Sequence, residues 1–490
     1  MKQALIFVHR WLGVVLCLLF LLWFPSGFVM MYWDYPSIRP ADRLAHLTPL
    51  DAATIRLSPA EAAAKAEVEP SGSIRLTTFA GRPVYRFGGR DSAVVYADTG
   101  DEQIEISQDE VARIAQMWSG QSVKAARVEA VDEADQWTLQ NRIRDLQPLW
   151  KFSWPDGQQL YVSQANGDVI QYTTKASRLG AYFGAIPHWL YFTPLRRNGP
   201  LWSRVVIWSS AVATLSALLG VIVGVWMYSP SKRYKRGSTP TSIPYSGWWK
   251  RWHMIVGLLA GAGAVTWAFS GMLSMEPFPR REGAGDRNGP RLFQALHGRA
   301  PLDRFAAKDA RAALTELAGL PVKDLEFASI AGEPAYFATI APGNTRIVPV
   351  NGEPVAALDT RRVIDIVTRV SQPFGGARAR VIDQYDRYYL DRHRDAPLPV
   401  VLVELDDSDH TRFYIDPKSA RAVGGYSAVN FLDRWLYHGL HSMNFPWLYN
   451  YRPAWDIVVI AFLLGGTALT VTSLALAWQV LGRKLRLIHA

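Results

Sequence analysis

Four stretches of this sequence are almost free of charge: Ile6–Met31, Val205–Tyr228, Met254–Met275 and Ile457–Gln479. A helix needs about 20 apolar residues to cross a hydrocarbon core about 30 Å thick, and each stretch supplies them. The pattern predicts a membrane protein with four transmembrane α-helices, at residues 5–32, 203–228, 253–275 and 455–481. The first stretch has basic flanks, Lys2 and Arg10, as a secretory signal would. Its apolar run is longer than a signal core, no small-x-small cleavage site follows it, and Tyr32, Trp33 and Tyr35 follow as interface aromatics. A retained helix is therefore expected.

The basic residues set the expected orientation. The short segment 229–252 carries Lys232, Arg233, Lys235, Arg236, Lys250 and Arg251 (the last two at the edge of the third helix) with no acid, and the tail 482–490 carries Arg483, Lys484 and Arg486. With four helices these stretches and Lys2 fall on one side, which the positive-inside rule makes the cytoplasm. The expected location is a bacterial inner membrane, with both termini cytoplasmic and segments 33–178 and 276–428 periplasmic. The formal net charge of +10 is then a topology signal, and no nucleic-acid partner is expected.

Ordered matches indicate an internal duplication. His9, Gly13 and Ser26-Gly27 recur at the same spacing as His253, Gly257 and Ser270-Gly271. Ala80-Gly81-Arg82-Pro83-Val84-Tyr85 corresponds to Ala331-Gly332-Glu333-Pro334-Ala335-Tyr336, and Asp135-Gln136 to Asp383-Gln384. Without a gap, His188, Phe192, Pro200 and Trp202 pair with His441, Phe445, Pro453 and Trp455. Two tandem repeats, each with two spans, insert the same way up, so equivalent residues are expected at equal depth about a pseudo-twofold axis.

Each periplasmic segment reads as α+β. Ser58-Pro59-Ala60-Glu61 is a capping box with proline at the first helical position, opening a helix through Val68. Strands are expected at Ile74–Phe79 and Val84–Phe87, with turns at Asp98–Asp101 and Asn166–Asp168. The second segment repeats this, with a helix near Lys308–Leu317 and turns at Ala331–Pro334 and Asn351–Glu353. The aromatic segments 179–202 and 429–454 read as interfacial helices or re-entrant turns.

The histidines carry the chemistry. His9 and His253 lie one turn inside the cytoplasmic ends of the first and third helices, where an ionisable side chain is costly. A single histidine there reads as a snorkelling neighbour of Arg10 or Arg251. Two at symmetric positions, each followed by glycine one turn later, point to a bulky planar ligand. His188 and His441 form a second symmetric pair on the outer side. His438 shares a helical face with His441, but the first half has no counterpart for it. Two histidines facing across an axis can ligate one haem iron, and two such pairs would give two b-type haems, with haem iron held through His9, His253, His188 and His441. A porphyrin-free transition metal is the other reading, weakened by the lack of nearby carboxylate or cysteine.

Other candidates carry less. The single cysteine, Cys17, allows no disulfide within the chain, and no Cys-x-x-Cys-His stands in the sequence for covalent haem. His46 and His297 are expected where the periplasmic domains begin. Asp406–His410 reads as a solvated hairpin turn. Gly220 and Gly224 read as a helix contact, and no phosphate loop, nucleophile elbow or HExxH motif stands in the sequence.

These residues resemble the PepSY-associated transmembrane helix family over essentially the whole chain. His9-Arg10-Trp11-Leu12-Gly13 looks like its opening motif, Arg251-Trp252-His253 through Gly257 like the second copy, and Tyr388-Tyr389-Leu390 with Pro397-Leu398-Pro399-Val400 like its second exterior domain. The resemblance implies two PepSY-like periplasmic domains. Relatives that include a di-haem inner-membrane ferric-siderophore reductase imply electron delivery to imported iron chelates. The leading expectation is thus a haem-dependent oxidoreductase, with a ferric siderophore or similar chelate as substrate, membrane lipid as surroundings and an unidentified electron donor. The alternative is a non-enzymatic PepSY module that binds a peptide, a peptidase or an envelope partner. A transporter is a poorer reading, because ionisable residues near the midplane are few.

Overall fold

The structure is a computed structural model of the chain. It describes all residues except 71, 89–92, 105, 141, 142, 144, 145, 280, 392, 489 and 490, with side chains described as far as Arg483. Lys484 and Arg486, expected in the cytoplasmic tail, lie outside those described side chains.

Four long helices form a bundle: α1 (Lys2–Met30), α2 (Gly199–Met227), α3 (Trp248–Leu273) and α4 (Ala454–Ile488). All four are long and apolar enough to cross a membrane. α1 and α3 each pack against both α2 and α4. The bundle is built inside out relative to a water-soluble protein. Val15, Leu18, Trp208, Leu259 and Trp478 are exposed, while Ser26, Ser210, Ser216, Ser270, Thr470 and Thr472 are buried between helices. Small and hydroxyl residues let helices approach closely and satisfy their own groups, and apolar side chains face outward where lipid is the solvent. Each helix extends past its expected start. α4 also continues through most of the segment expected as a tail. Between α2 and α3 lies a two-stranded hairpin, β8 (Tyr234–Arg236) and β9 (Thr239–Thr241).

The two long segments are joined through one sheet. β1 (Ile74–Phe79), β2 (Arg82–Phe87) and β3 (Val94–Tyr96) come from the first, and β10 (Asp324–Ile330), β11 (Glu333–Ala341) and β12 (Asn344–Pro349) from the second. They form one antiparallel sheet in the order β12-β11-β10-β1-β2-β3. At the seam Ile74 stands opposite Phe327 and Thr77 opposite Asp324. The hairpins either side turn on Ala80-Gly81 and Ala331-Gly332, with positive φ at both positions of each pair (48° and 87°, 51° and 82°). Two successive positive φ angles define the two-residue turn that matches strand twist, and glycine adopts the second at no steric cost.

One face of this sheet packs on helices Pro59–Lys65 and Ala310–Glu316, joining Leu76, Tyr85, Leu325 and Tyr336 in a single core. The capping box forms as expected: Ser58 Oγ accepts from the Glu61 amide at 3.2 Å, and Glu61 Oε2 accepts from the Ser58 amide at 2.7 Å. The helix closes at Lys65, earlier than Val68.

On the other face each half carries its own sheet, with one helix in the first half and two in the second. β4 (Arg127–Val131), β5 (Leu149–Ser153), β6 (Gln159–Ser163) and β7 (Val169–Thr173) pack with helix Gln108–Ser119. β13 (Ala377–Ile382), β14 (Val400–Leu405), β15 (Arg412–Asp416) and β16 (Arg421–Tyr426) pack with helices Ala284–Leu296 and Thr360–Ser371. The chain re-enters the bundle through short helices, Lys175–Phe183 and Ala185–His188 in the first half and a π-helix at Leu432–Gly439 in the second. These segments place histidines at the end of the bundle nearest the sheets.

Candidate functional site

The structure brings the four paired histidines together two by two. His9 on α1 and His253 on α3 have ring centres 6.2 Å apart, their planes inclined at 33°. His188 and His441 have ring centres 5.9 Å apart at 72°. The second pair adjoins Ser26 and Ser270, which follow His9 and His253 by 17 residues along α1 and α3. At 1.5 Å rise per residue the pairs lie about 25 Å apart along the helices.

In each ring Nδ1 is already engaged. His9 Nδ1 lies 3.0 Å from the Ser216 carbonyl on α2, and His253 Nδ1 lies 3.0 Å from Thr472 Oγ1 on α4. His188 Nδ1 lies 3.1 Å from Ser26 Oγ and 3.2 Å from the Trp23 carbonyl, and His441 Nδ1 lies 3.0 Å from Ser270 Oγ. A partner on Nδ1 fixes ring orientation and leaves Nε2 for a ligand. The chain after each outer histidine is pinned alike. Trp202 Nε1 donates to the Trp189 carbonyl at 2.8 Å, and Trp455 Nε1 donates to the Ser442 carbonyl at 2.9 Å.

The spacing has a chemical meaning. A metal–imidazole bond is about 2.0 Å long and the nitrogen lies roughly 1.1 Å from its ring centre, so two imidazoles on opposite sides of one metal ion have centres about 6 Å apart. Both pairs match. Among the described residues no group of three or more His, Cys, Asp or Glu is placed to hold a metal ion. Two nitrogens alone suit an ion that brings its other donors with it, as a porphyrin does.

Around the inner pair the helices part. A cavity of about 370 Å³ is lined by His9, His253, Gly13, Gly257, Ser216 and Ser473, among others, with Arg10, Lys250 and Tyr245 also on its walls. A Cβ on Gly13 would meet nothing within 4 Å, so this glycine opens onto free space. Gly220 does different work: a Cβ there would lie 2.6 Å from Cε1 of His9, so its absence admits the imidazole between α1 and α2. A Cβ on Gly224 would lie 3.3 Å from the flexible end of Leu258, a tight contact but not one with the imidazole, so within the Gly-x3-Gly it is the first glycine that makes room for the histidine. Cys17 is buried and also lines this cavity, with Sγ 3.2 Å from the Val14 carbonyl.

Three other described histidines have partners outside the pairs. His438 is half-exposed, with Nε2 3.7 Å from Asp433 Oδ1 and its ring beside Tyr437. His46 stacks on Trp118 with ring centres 4.1 Å apart. His297 packs on Phe337 at 4.1 Å and bonds Glu326 and the Ser419 carbonyl, within the sheet region. Asp406–His410 is the turn between β14 and β15.

Three arginines in the segments that carry the outer pair are engaged internally. Arg196 lies under the rings of Tyr191 and Trp202, Arg197 pairs with Glu133 at 3.1 Å, and Arg434 bonds the Arg387 and Asn444 carbonyls. An anionic chelate therefore does not meet Arg196 or Arg434 as free surface cations. Sequence reasoning missed Ser216, Thr472 and Gly220 as histidine partners. Ser26 and Ser270 were visible as a repeated Ser-Gly, but nothing in the spacing linked them to histidines so distant in sequence.

The bundle and its sheets define a membrane protein with four candidate spanning helices and sheet-rich segments. The chain belongs to the PepSY-associated TM region family, whose model matches residues 7–479. No curated protein and no solved structure matches it.

Proposed function

We propose that this chain is a di-haem b electron-transfer protein of the bacterial inner membrane that reduces ferric siderophores, so that iron is released. It is built as two tandem repeats, with cytoplasmic termini and the sheets in the periplasm. The observation that carries this reading is the pair of neighbouring imidazoles near each end of the bundle, with ring centres 6.2 and 5.9 Å apart. His9 and His253 would hold the inner haem, and His188 and His441 the outer. When bound, the haems would supply one-electron iron chemistry.

The chain's own residues hold, insulate and space that chemistry. Ser216, Thr472, Ser26 and Ser270 orient the four rings. The apolar walls between the pairs, including Phe20, Phe24 and Trp267, exclude water from the middle of the bundle. Trp189, Tyr191 and Trp435 belong to the aromatic segments that carry His188 and His441, and would shape the surface where a chelate docks. One electron from an unidentified cytoplasmic donor converts the chelate's Fe(III) to Fe(II), which hard oxygen donors hold less tightly. The Lys- and Arg-rich segment between α2 and α3 lies at the His9–His253 end, which supports placing that end in the cytoplasm.

The test is a reduced-minus-oxidised spectrum of the purified protein with a pigment-to-protein ratio. About two low-spin haems per chain are expected, and ferric chelate should reoxidise the reduced protein. Pigment-free protein from haem-replete cells would reject the reading and leave the non-enzymatic module.

A further inference from the structure

His297, Glu326 and Arg421 meet around one ring nitrogen whose hydrogen bonds cannot all be made in one protonation state. His297 stands at the C-terminal end of helix Ala284–Leu296, with its side chain 9% exposed. Nδ1 lies 2.9 Å from the Ser419 carbonyl, so Nδ1 carries a hydrogen and donates. In the neutral ring Nε2 is then an acceptor, and Arg421 Nη2 donates to it at 2.9 Å. Glu326 Oε1 lies 3.2 Å from the same Nε2 and accepts from Arg421 Nη2 at 2.6 Å. Burial pushes the Glu326 carboxyl up, but its contacts with His297 and Arg421 outweigh that and hold it at about 2, so it is a carboxylate at any pH where histidine titrates. With the ring neutral, two acceptors face each other and Arg421 bridges them. With the ring protonated, Nε2 donates directly to Glu326, and its contact with Arg421 sets donor against donor between two cations.

Other charges on the packed elements are engaged elsewhere. Arg75 on β1, opposite Glu326 across the seam, pairs with Asp324 at 2.7 Å. Asp416 at the end of β15 accepts from the Ser419 hydroxyl at 2.7 Å and from the Lys418 amide at 3.0 Å. From β11 the ring meets only Phe337, with ring centres 4.1 Å apart. The three residues therefore join a helix end, β10 of the shared sheet and β16 of the second half's own sheet. We propose that His297 is a pH-sensitive switch at this joint: its neutral ring ties β16 to the shared sheet through Arg421, and uptake of a proton releases Arg421. Histidine changes charge between about pH 5 and 8. A cation is favoured at a helix C-terminus, so the protonated ring holds the helix end to Glu326 instead. The Arg421 side chain is half-exposed and can turn to water. At the far end of β16, Tyr426 stacks on Tyr388 at 3.9 Å, and the chain runs on into the π-helix and His441. Acid around the sheets thus loosens the strand that leads into the segment of the outer histidine.

The experiment uses the full chain in detergent and two readouts. Arg421→Gln removes the group that is released. The bridge is present while the ring is neutral and is lost as pH falls through the histidine range. The loss in folding equilibrium caused by Arg421→Gln should therefore be about fivefold greater at about pH 8 than at about pH 5, the worth of one hydrogen bond. In a His297→Gln background, which cannot take up the proton, the loss should be the same at both. By linkage, Arg421→Gln should also tighten proton binding at His297 by about fivefold, read by NMR titration of protein labelled with carbon-13 histidine. If His297→Gln does not yield folded protein, that titration decides alone. An equal loss at both pH values with His297 present, or a His297 titration that Arg421→Gln does not move, overturns the inference. A fivefold difference that persists in His297→Gln assigns the pH effect to another group and overturns it as well. Neither readout needs pigment, so the haem reading stands or falls separately.

Discussion

Ser270 on α3 lies 3.0 Å from Nδ1 of His441, and Ser26 on α1 makes the corresponding contact to His188 at 3.1 Å. Each outer histidine is therefore oriented by a hydroxyl from the membrane helix of its own half. Outer-shell partners of this kind are commonly worth 10–100-fold in ligand affinity. If the proposed haems are bound, Ser270→Ala should weaken retention of the outer one by about tenfold while leaving the inner one and the helix content unchanged. The double change with Ser26→Ala should weaken it further. Haem titration of stripped protein reads the effect. Equal affinity in wild type and the double variant would show that the hydroxyls only cap their own helices, to which both also bond.

The inner site separates packing from occupancy. Gly220→Ala puts a methyl group 2.6 Å from the His9 ring, so it should displace the imidazole and, on the di-haem reading, cost the inner haem. Gly224→Ala meets only the flexible end of Leu258 and is the control. Gly13→Phe is the sharper case, because its side chain enters open cavity. A cavity that holds a planar ligand predicts Gly13→Phe with wild-type thermal stability and half the pigment. Full pigment in Gly13→Phe would place the ligand elsewhere.

How far these features could be read in advance depended on range. The spans, capping box and hairpin turns are local, set by apolar runs and by Ser58–Glu61 and Ala80-Gly81, and they were legible. So was the placing of His9 with His253 and of His188 with His441, because matched spacing implied matched depth. The shared six-stranded sheet was not. Nothing local in Ile74–Phe79 says that its free edge pairs with Asp324–Ile330, some 250 residues on, and each half read as self-contained. The π-helix was hidden for a similar reason, since its register follows tertiary packing. The burial of Arg434, a charged residue in an aromatic segment, likewise needed three dimensions.

The seam of that sheet should be measurable. Arg75 on β1 pairs with Asp324 on β10 at 2.7 Å, and Asp324 is nearly buried. Arg75→Met leaves a buried carboxylate without its partner and should destabilise the sheet region by about 1–3 kcal/mol. Asp324→Leu in the same chain removes the stranded charge and should return part of that loss. A double-mutant cycle on thermal or denaturant unfolding measures the coupling.

Acid should act on the same seam through Glu326. Burial pushes this carboxyl up, but the hydrogen bond from His297 and the charges of Arg421, His297 and Arg75 outweigh it and hold the group at about 2. The folded value is depressed, so the stabilisation is complete above the unfolded carboxylate value of about 4.3 and is lost as pH falls from there towards 2. Glu326→Gln should flatten the acid limb of the stability profile between those limits. A limb equally steep in the variant would assign the acid sensitivity to other carboxylates.

Catalysis tests the direction of electron flow. If electrons leave through the centre at His188 and His441, removing one of those ligands should stop transfer to chelate without touching the inner centre. On the di-haem reading, His441→Ala should therefore lose the outer haem and retain the inner one, whose ligands lie about 25 Å away along α1 at 1.5 Å rise per residue. His438→Ala is the matched control, because His438 is turned towards Asp433 rather than towards His188. Stopped-flow mixing of dithionite-reduced protein with a ferric siderophore should show reoxidation abolished in His441→Ala and unchanged in His438→Ala. His9→Ala should lose the inner haem yet still discharge the electron already on the outer one, so its first turnover survives while steady-state reduction from the cytoplasmic side fails. Reoxidation of His441→Ala at the wild-type rate, with the outer pigment gone, would move the exit to another site.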